Sequence, residues 1–308
     1  MTAVVVPGPL ADRLEPLLGC RLRTAEATVG GHSNLVFVCA LSDGRRVVVK
    51  AATSSAKRAD VEREAAVLGV LADESLPVAR MVAATHDDEW AVVVTEHLEG
   101  RDGLSVVPDM TLDPDLAART GALMGETLRA IHTTAPRPLP GDAFDRAAQA
   151  AAAMDAIRAC SAPADIIESS VAALGDPLHG RGVAFVHGDP GLHNIVWYPA
   201  QPGRPLALRA VVDWELAGWG NPMVDVAWVW WTLWFRGLPQ QTGQAFADGY
   251  GRWAIDAMGW SGDTVDAAVR SQMAALLART EPGTEVRKLW VERIRGLGAL
   301  PDIRSTGG

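Results

Sequence analysis

No run of Lys or Arg occurs anywhere in the chain, and the formal net charge is -9. Electrostatic capture of nucleic acid or of an anionic membrane is therefore not expected. Cysteine is scarce. Cys20, Cys39 and Cys160 are odd in number, widely separated and without metal-ligand spacing, which excludes a disulfide framework and points to free thiols in a reducing cytosol. The longest apolar run, Val224 to Phe235, contains Asp225 and falls short of the roughly 20 residues that a membrane span needs. The start, MTAVVVPGPLADRL, lacks the basic and apolar regions of a signal peptide. A cytoplasmic protein is expected. No internal repeat is visible, and low complexity is limited to local alanine enrichment, which helix propensity explains.

What is present is apolar material: 48% of 308 residues are hydrophobic, enough for one large domain or two lobes. The first third reads as strands. A short helix over Leu10 to Leu18 precedes a strand over Leu22 to Val29, and two alternating runs then flank a turn at Ser42-Asp43-Gly44. Gly30 and Gly31 open this hairpin; with Ser33 they would let backbone N–H groups and a hydroxyl approach an anion, although a plain β-turn also fits. Lys50 ends the strand VVVK. The helix predicted over Ala56 to Ala72 buries Val61, Ala65, Leu68 and Leu71, and Glu64 falls within that stripe while Glu62 points away. A carboxylate on an apolar face is costly unless paired, so Lys50 is its expected partner.

Strands at Met81 to Thr85 and Trp90 to Glu96 follow. Gly100, Gly103 and Pro108 then mark a connector into alanine-rich helices. A β-rich N-terminal lobe over 1–98 and a helical C-terminal lobe over 99–308 are expected. In the latter, Asp115 to His132 reads as a buried helix ending in a structural histidine. Residues 142 to 175 read as two helices broken at Ser161-Ala162-Pro163, and Gln240 to Met258, Asp263 to Arg279 and Glu285 to Leu297 read as three more.

The chemistry is concentrated between Val183 and Trp231. Two strand-like runs, AFVH and AVVDW, deliver acidic residues at their C-terminal ends, and NIVWY lies between them. The pattern predicts a hairpin presenting Asp189, Asn194, Asp213 and Glu215 at one edge. Asp189 on a tight turn could take or orient the proton of an attacking hydroxyl. Asn194 offers a neutral oxygen and Asp213 an anionic one for a hard cation that holds phosphates. Glu215, two residues past Asp213, falls on the same side of an extended segment and could take a second metal.

HGDPGLHN resembles the catalytic loop of the aminoglycoside phosphotransferase and choline kinase group, within the protein-kinase-like superfamily. VVDWELAGWGNPMVDVAW resembles that group's metal-binding segment, and Asp225 resembles the helix-borne Asp that braces the loop. The Gly30-Gly31 hairpin, Lys50, Glu64, VVVTEHLEG and ETLRAIH occur in the family's order. The resemblance implies an α+β, bilobal protein-kinase-like fold with a small β-rich N-terminal lobe and a larger helical C-terminal lobe. It implies ATP (or GTP) and Mg2+, with Asp189 orienting the acceptor hydroxyl and Asn194 and Asp213 binding Mg2+. Lys50, held by Glu64, would contact the α- and β-phosphates; Gly30, Gly31 and Ser33 would cover the phosphates; Glu96 and Leu98 would offer backbone groups to adenine. His187 would support the loop. Pro190 departs from the usual Leu, and Gly191-Leu192-His193 is not the common filling, which could reshape the acceptor side.

The family's acceptor pocket would involve residues 142 to 175 and 234 to 295. Asp248, Asp256, Glu281 and Glu285 could receive an amine-rich antibiotic, or be solvated helix faces. Trp228, Trp230, Trp231 and Trp234 should be mostly core; Trp253, Trp260 and Trp290 are candidates for a pocket wall, where converging rings would suit a quaternary ammonium. The expected activity is O-phosphorylation of an aminoglycoside or other hydroxylated antibiotic. A metabolic kinase for choline, homoserine or a sugar is the alternative, and a noncatalytic ATP-binding regulator is another.

Overall fold

The computed structural model describes residues 6–28, 35–134, 139, 141, 144–175, 182–198, 206–298, 300 and 302–303. The chain packs as two units: Met1–Glu99 with Val212–Leu216, and Gly100–Val211 with Ala217–Gly308.

In the first unit, α1 (Gly8–Leu18) precedes five strands, β1 (Leu22–Ala27), β2 (Leu35–Leu41), β3 (Arg46–Ala52), β4 (Met81–His86) and β5 (Ala91–Glu96). They form one antiparallel sheet of order β1-β2-β3-β5-β4. Period-two alternation divides it cleanly. Val47, Val49, Ala51, Val92 and Val94 are buried with Phe37, Cys39 and Leu41 against Leu10, Leu14 and Leu18 of α1, whose i, i+4, i+8 spacing makes a single stripe. Lys50, opposite Val36 and Val93 in register, has the other parity. On that second face packs α2 (Ser55–Leu71). Val61, Glu64, Val67, Leu68 and Leu71 of this helix are buried, while Glu62 is exposed and Ala65 half-buried.

The second unit is helical: α3 (Gly103–Leu112), α4 (Pro114–Thr133), α5 (Arg146–Ala159), α6 (Ala164–Gly175), α7 (Pro222–Phe235), α8 (Gln240–Tyr250), α9 (Arg252–Ala257), α10 (Gly262–Ala278) and α11 (Glu285–Gly296). Five short strands accompany them: β6 (Arg101–Asp102), β7 (Ala184–Val186), β8 (Ile195–Trp197), β9 (Leu208–Val211) and β10 (Gly218–Gly220). NIVWY does form a hairpin, β8 with β9, joined on its other edge by β6. β7 is outside that hairpin and pairs with β10. At the centre runs α7, where Val226, Ala227, Trp228, Val229, Trp230 and Trp231 are all buried, and Trp234 emerges at 44% exposure.

Two expectations change here. The Gly100 to Pro108 stretch, read as a connector, becomes β6 and α3, with Asp102 capping the Ser105 N–H at 3.0 Å. Its glycine is needed for proximity rather than for a turn, since a Cβ at Gly103 would overlap the Leu192 carbonyl. The helix expected over Gln240 to Met258 breaks at Gly251 into α8 and α9. Cys20, Cys39 and Cys160 are free thiols. Among the described residues no helix is long and apolar enough to cross a membrane.

Candidate active site

In the first unit the residues expected to act on a nucleotide converge on one ammonium. Lys50 Nζ lies 2.7 Å from Glu64 Oε2, 2.6 Å from Asp213 Oδ1 and 2.7 Å from Glu215 Oε2. Strand parity turns Lys50 towards α2, and the buried stripe of α2 brings Glu64, rather than Glu62, to meet it. Burial alone would push the Lys50 ammonium down, but the charges of Asp213, Glu64 and Glu215 outweigh it and hold its pKa well above the ordinary range. Burial, with help from Asp213 and Glu215, pushes the Glu64 carboxyl up despite Lys50.

Asp213 is the one non-glycine residue with positive φ among the described residues, at 67°. An Asp tolerates the left-handed region better than most residues, yet such a conformation still costs on the order of 1 kcal/mol and persists where the surroundings impose it. Here Trp214, 1% exposed, anchors the segment while the Asp213 side chain remains 41% exposed. One oxygen each from Glu64, Asp213 and Glu215 lie within 4.8 Å of one another. With one positive charge against three negative, this hard-oxygen set is matched to a divalent cation.

Glu96 and Leu98 are half-buried at the end of β5 and just beyond it. The Glu96 N–H already donates to the Arg80 carbonyl at 3.0 Å, and its side chain accepts from the Arg80 N–H at 3.0 Å. Glu96 therefore has no amide proton to give a base. Gly30, Gly31 and Ser33 lie outside the described residues.

The second unit carries the loop. Its base is Asp225 of α7, fully buried, which accepts the His187 N–H at Oδ2 (2.8 Å) and the Gly188 N–H at Oδ1 (3.0 Å). His132 Nε2 approaches the same Oδ2 at 3.2 Å, and its Nδ1 meets the Tyr250 hydroxyl at 2.7 Å. The expected structural histidine thus acts through Asp225. Burial would raise the Asp225 carboxyl; the His132 hydrogen bond and the nearby His132, His187 and Arg146 charges outweigh it and hold its pKa below the usual value. From the other side, Gln272 of α10 donates to the Gly188 carbonyl and receives Arg146 at 3.1 Å.

So braced, the loop holds Asp189 by both oxygens. Trp228 Nε1 donates to Oδ1 at 2.7 Å, and His193 Nε2 lies 3.1 Å from Oδ2. Burial would raise this carboxyl, but His193 and the Trp228 hydrogen bond lower it, so it stays ionised at neutral pH. Asn194 Nδ2 donates to the Asp189 carbonyl at 2.9 Å, which fixes the amide so that Oδ1 is the end left for a cation. The substitutions at 190 to 193 have visible consequences. Pro190 is buried and lines a small apolar hollow with Met124, Leu128, Ile195 and Val229. Gly191 leaves room for the imidazole: a Cβ there would come within 2.6 Å of the His193 ring.

Sequence reasoning missed three participants. His193 was treated only as an unusual filling, although its i+4 spacing from Asp189 was a usable signal. Trp228 was assigned to the core, where its ring does lie, but its indole N–H serves Asp189. Gln272 carried no signal at all. The residues nominated for an amine-rich acceptor are exposed; Asp248 pairs with Arg252, and Glu285 with Lys288 at 2.6 Å.

Known proteins share this architecture. An aminoglycoside-3'-phosphotransferase of type VIII matches with a TM-score of 0.61 at 22% identity, over 87% of this chain and 98% of that one. The gentamicin complex of APH(2")-IIa matches with a TM-score of 0.67 at 14% identity, over 96% and 98%. An amicoumacin kinase in complex with AMP-PNP, Ca2+ and Ami matches with a TM-score of 0.62 at 12% identity, over 97% and 96%. These likenesses establish an α+β kinase-like fold. No curated protein sequence matches the chain. Residues 24–260 match the model of the phosphotransferase enzyme family, and on that match, which spans most of its length, the chain belongs to this family.

Proposed function

We propose that the chain transfers the γ-phosphoryl group of ATP, held with Mg2+, to a hydroxyl of a small organic acceptor. The observation that carries this is Lys50 among Glu64, Asp213 and Glu215, residues drawn from three separate parts of the chain. An ammonium suits phosphate oxygens, and carboxylates in excess of it suit a divalent cation. Asp213 and Glu215, with Asn194 Oδ1, are the ligands proposed for Mg2+, which when bound would neutralise phosphate charge. Glu64 keeps Lys50 extended towards the phosphates, and Leu98 with the Glu96 backbone would meet the base.

Asp189 receives the acceptor's proton. The hydroxyl oxygen bonds to the γ-phosphorus as the bond to the β,γ-bridging oxygen breaks, releasing ADP, and the proton passes to the carboxylate. Because phosphoryl transfer asks for alignment, the grip of Trp228 and His193 on both oxygens serves to hold the carboxylate where it meets the hydroxyl. Cytoplasmic residence, where ATP is kept, completes the reading.

The antibiotic reading of the acceptor is supported by the names of the structural relatives, an aminoglycoside phosphotransferase and an amicoumacin kinase among them. A metabolic kinase and a noncatalytic ATP-binding regulator are the competing readings. ATP turnover against a panel of hydroxyl acceptors separates them. Asp189→Asn should lower turnover by about 100-fold or more, as expected for loss of a general base, while nucleotide affinity holds; Asp213→Ala should weaken binding of the Mg2+ nucleotide. Near-normal turnover in Asp189→Asn refutes the assignment, and nucleotide binding without transfer to any acceptor favours the regulator. Expression in a sensitive host should raise resistance if the acceptor is an antibiotic.

A further inference from the structure

The peptide that joins Gly188 to Asp189 has to be held from outside the loop. Gly188 sits at φ 87°, a conformation that glycine enters freely, so local sterics leave the following peptide able to rotate and to carry Asp189 with it. The Asp189 N–H donates to His187 Nδ1 at 3.2 Å, but that contact lies within the loop and turns with it. The Gly188 carbonyl accepts from Gln272 Nε2, and Gln272, 1% exposed, belongs to α10. Gln272 therefore ties this peptide to the helical body.

The Gln272 amide serves in one orientation. A guanidinium only donates and a carbonyl only accepts, so a side chain between Arg146 and Gly188 must offer an acceptor at one end and a donor at the other. Gln272 does so: Arg146 Nη2 donates to its Oε1 at 3.1 Å, which leaves Nε2 for Gly188. Arg146 is itself seated. It opens α5 behind the Asp145 cap, its Nη1 donates to Gln149 Oε1 at 3.0 Å, and its stem lies over Gly220, where a Cβ would overlap it. Gly220 pairs with Ala184 of β7, the strand that runs into the loop. Side chains from α5 and α10 thus meet on the peptide that carries Asp189.

We propose that Gln272 and Arg146 are positioning residues for Asp189. Arg146 sets the Gln272 amide, and Gln272 holds the Gly188–Asp189 peptide in the rotation from which the carboxylate reaches Trp228 and His193. The consequence for turnover rests on the phosphotransferase reading; the consequence for the contacts of Asp189 does not. Packing alone asks for any side chain of this volume at 272, whereas this latch asks for a donor facing Gly188 and an acceptor facing Arg146.

Two readouts test it. The Trp228 indole N–H reports the Asp189 contact without any substrate. Its signal in a proton–nitrogen correlation spectrum is identified by its loss in Trp228→Phe, which keeps a ring beside Trp231 and Trp290. ADP release from ATP, with and without the panel of hydroxyl acceptors, reports turnover. Gln272→Met keeps the volume and removes both polar ends. It should move the Trp228 signal upfield, as loss of a charge-assisted bond requires, and lower kcat about three- to tenfold, the scale of one neutral hydrogen bond, with KM for ATP within about twofold of wild type. Gln272→Glu keeps the acceptor for Arg146 but removes the donor, and should match Gln272→Met. Arg146 is half-buried, so Arg146→Met probes the same link without a change inside the core, and Arg146→Lys, which still donates, should recover most of what Arg146→Met loses. A Trp228 signal that stays in place in whichever of Gln272→Met, Gln272→Glu and Arg146→Met fold overturns the proposal, as does a normal kcat in them when wild type is active. A shifted signal in these variants, with no ADP release by wild type on any acceptor, supports the positioning role and removes the phosphotransferase reading.

Discussion

Asp225→Asn isolates the brace beneath the loop, because the change is nearly isosteric and the site is fully buried. In the native protein Oδ1 accepts from Gly188, and Oδ2 accepts from His187 and faces His132. An asparagine keeps one oxygen and turns an NH2 towards one of the two backbone N–H groups. That donor loses a charge-assisted bond worth about 1.5–3 kcal/mol and is left unsatisfied at a further cost of about 1–3 kcal/mol. Since the two overlap, we expect a loss of about 3–4 kcal/mol, in the range seen when one partner of a buried charged pair is removed. Urea denaturation at neutral pH should show a lower midpoint with an unchanged slope.

The pH dependence sharpens this test. The folded-state pKa of Asp225 is depressed, so its contribution is present above the unfolded value, about 3.9, and is lost as pH falls through the folded value. The stability gap between wild type and variant should therefore be present at about pH 5 and narrow as pH falls below about 3.9. A midpoint within experimental error of wild type at neutral pH, or a gap that widens as pH falls below about 3.9, refutes the reasoning.

Two further outcomes follow from the same geometry. Trp228→Phe keeps a ring against Trp231 and Trp290 but removes the N–H from Asp189; losing about 1.5–3 kcal/mol of charge-assisted bonding predicts a fall in kcat of about 10- to 100-fold, with acceptor KM moved much less, as steady-state kinetics would show. Glu64→Gln should raise the KM for ATP severalfold because Lys50 loses the partner that extends it, while the exposed Glu62→Gln serves as control and should match wild type; equal effects would sink the assignment.

The lesson for reading sequence lies in particular residues. Period-two and i, i+4 spacing identified the sheet, α1, α2 and α4, since each has one apolar face against a core. The same spacing selected Glu64 over Glu62, because a carboxylate in a buried stripe requires a cation. Gly100 and Gly103 were misread because the chain uses glycine both for turns and for close approach, and only the positions of the Trp197 and Leu192 carbonyls distinguish them. The Gln240 to Met258 stretch was misread because helical composition continues through Gly251.

By itself, then, the sequence determined the helices and strands that have one apolar face, the loop and segment that carry Asp189, Asn194, Asp213 and Glu215, and the pairing of Lys50 with Glu64. These rest on local periodicity and on short spacings along one chain. The tertiary structure alone decided that Trp228 serves Asp189, that His193 closes its second oxygen, and that Gln272 braces Gly188. Those contacts join side chains whose chemistry is already explained in sequence terms as core or surface. A buried indole still has one N–H to place, and where it goes depends on the packing of neighbouring elements, which no spacing records.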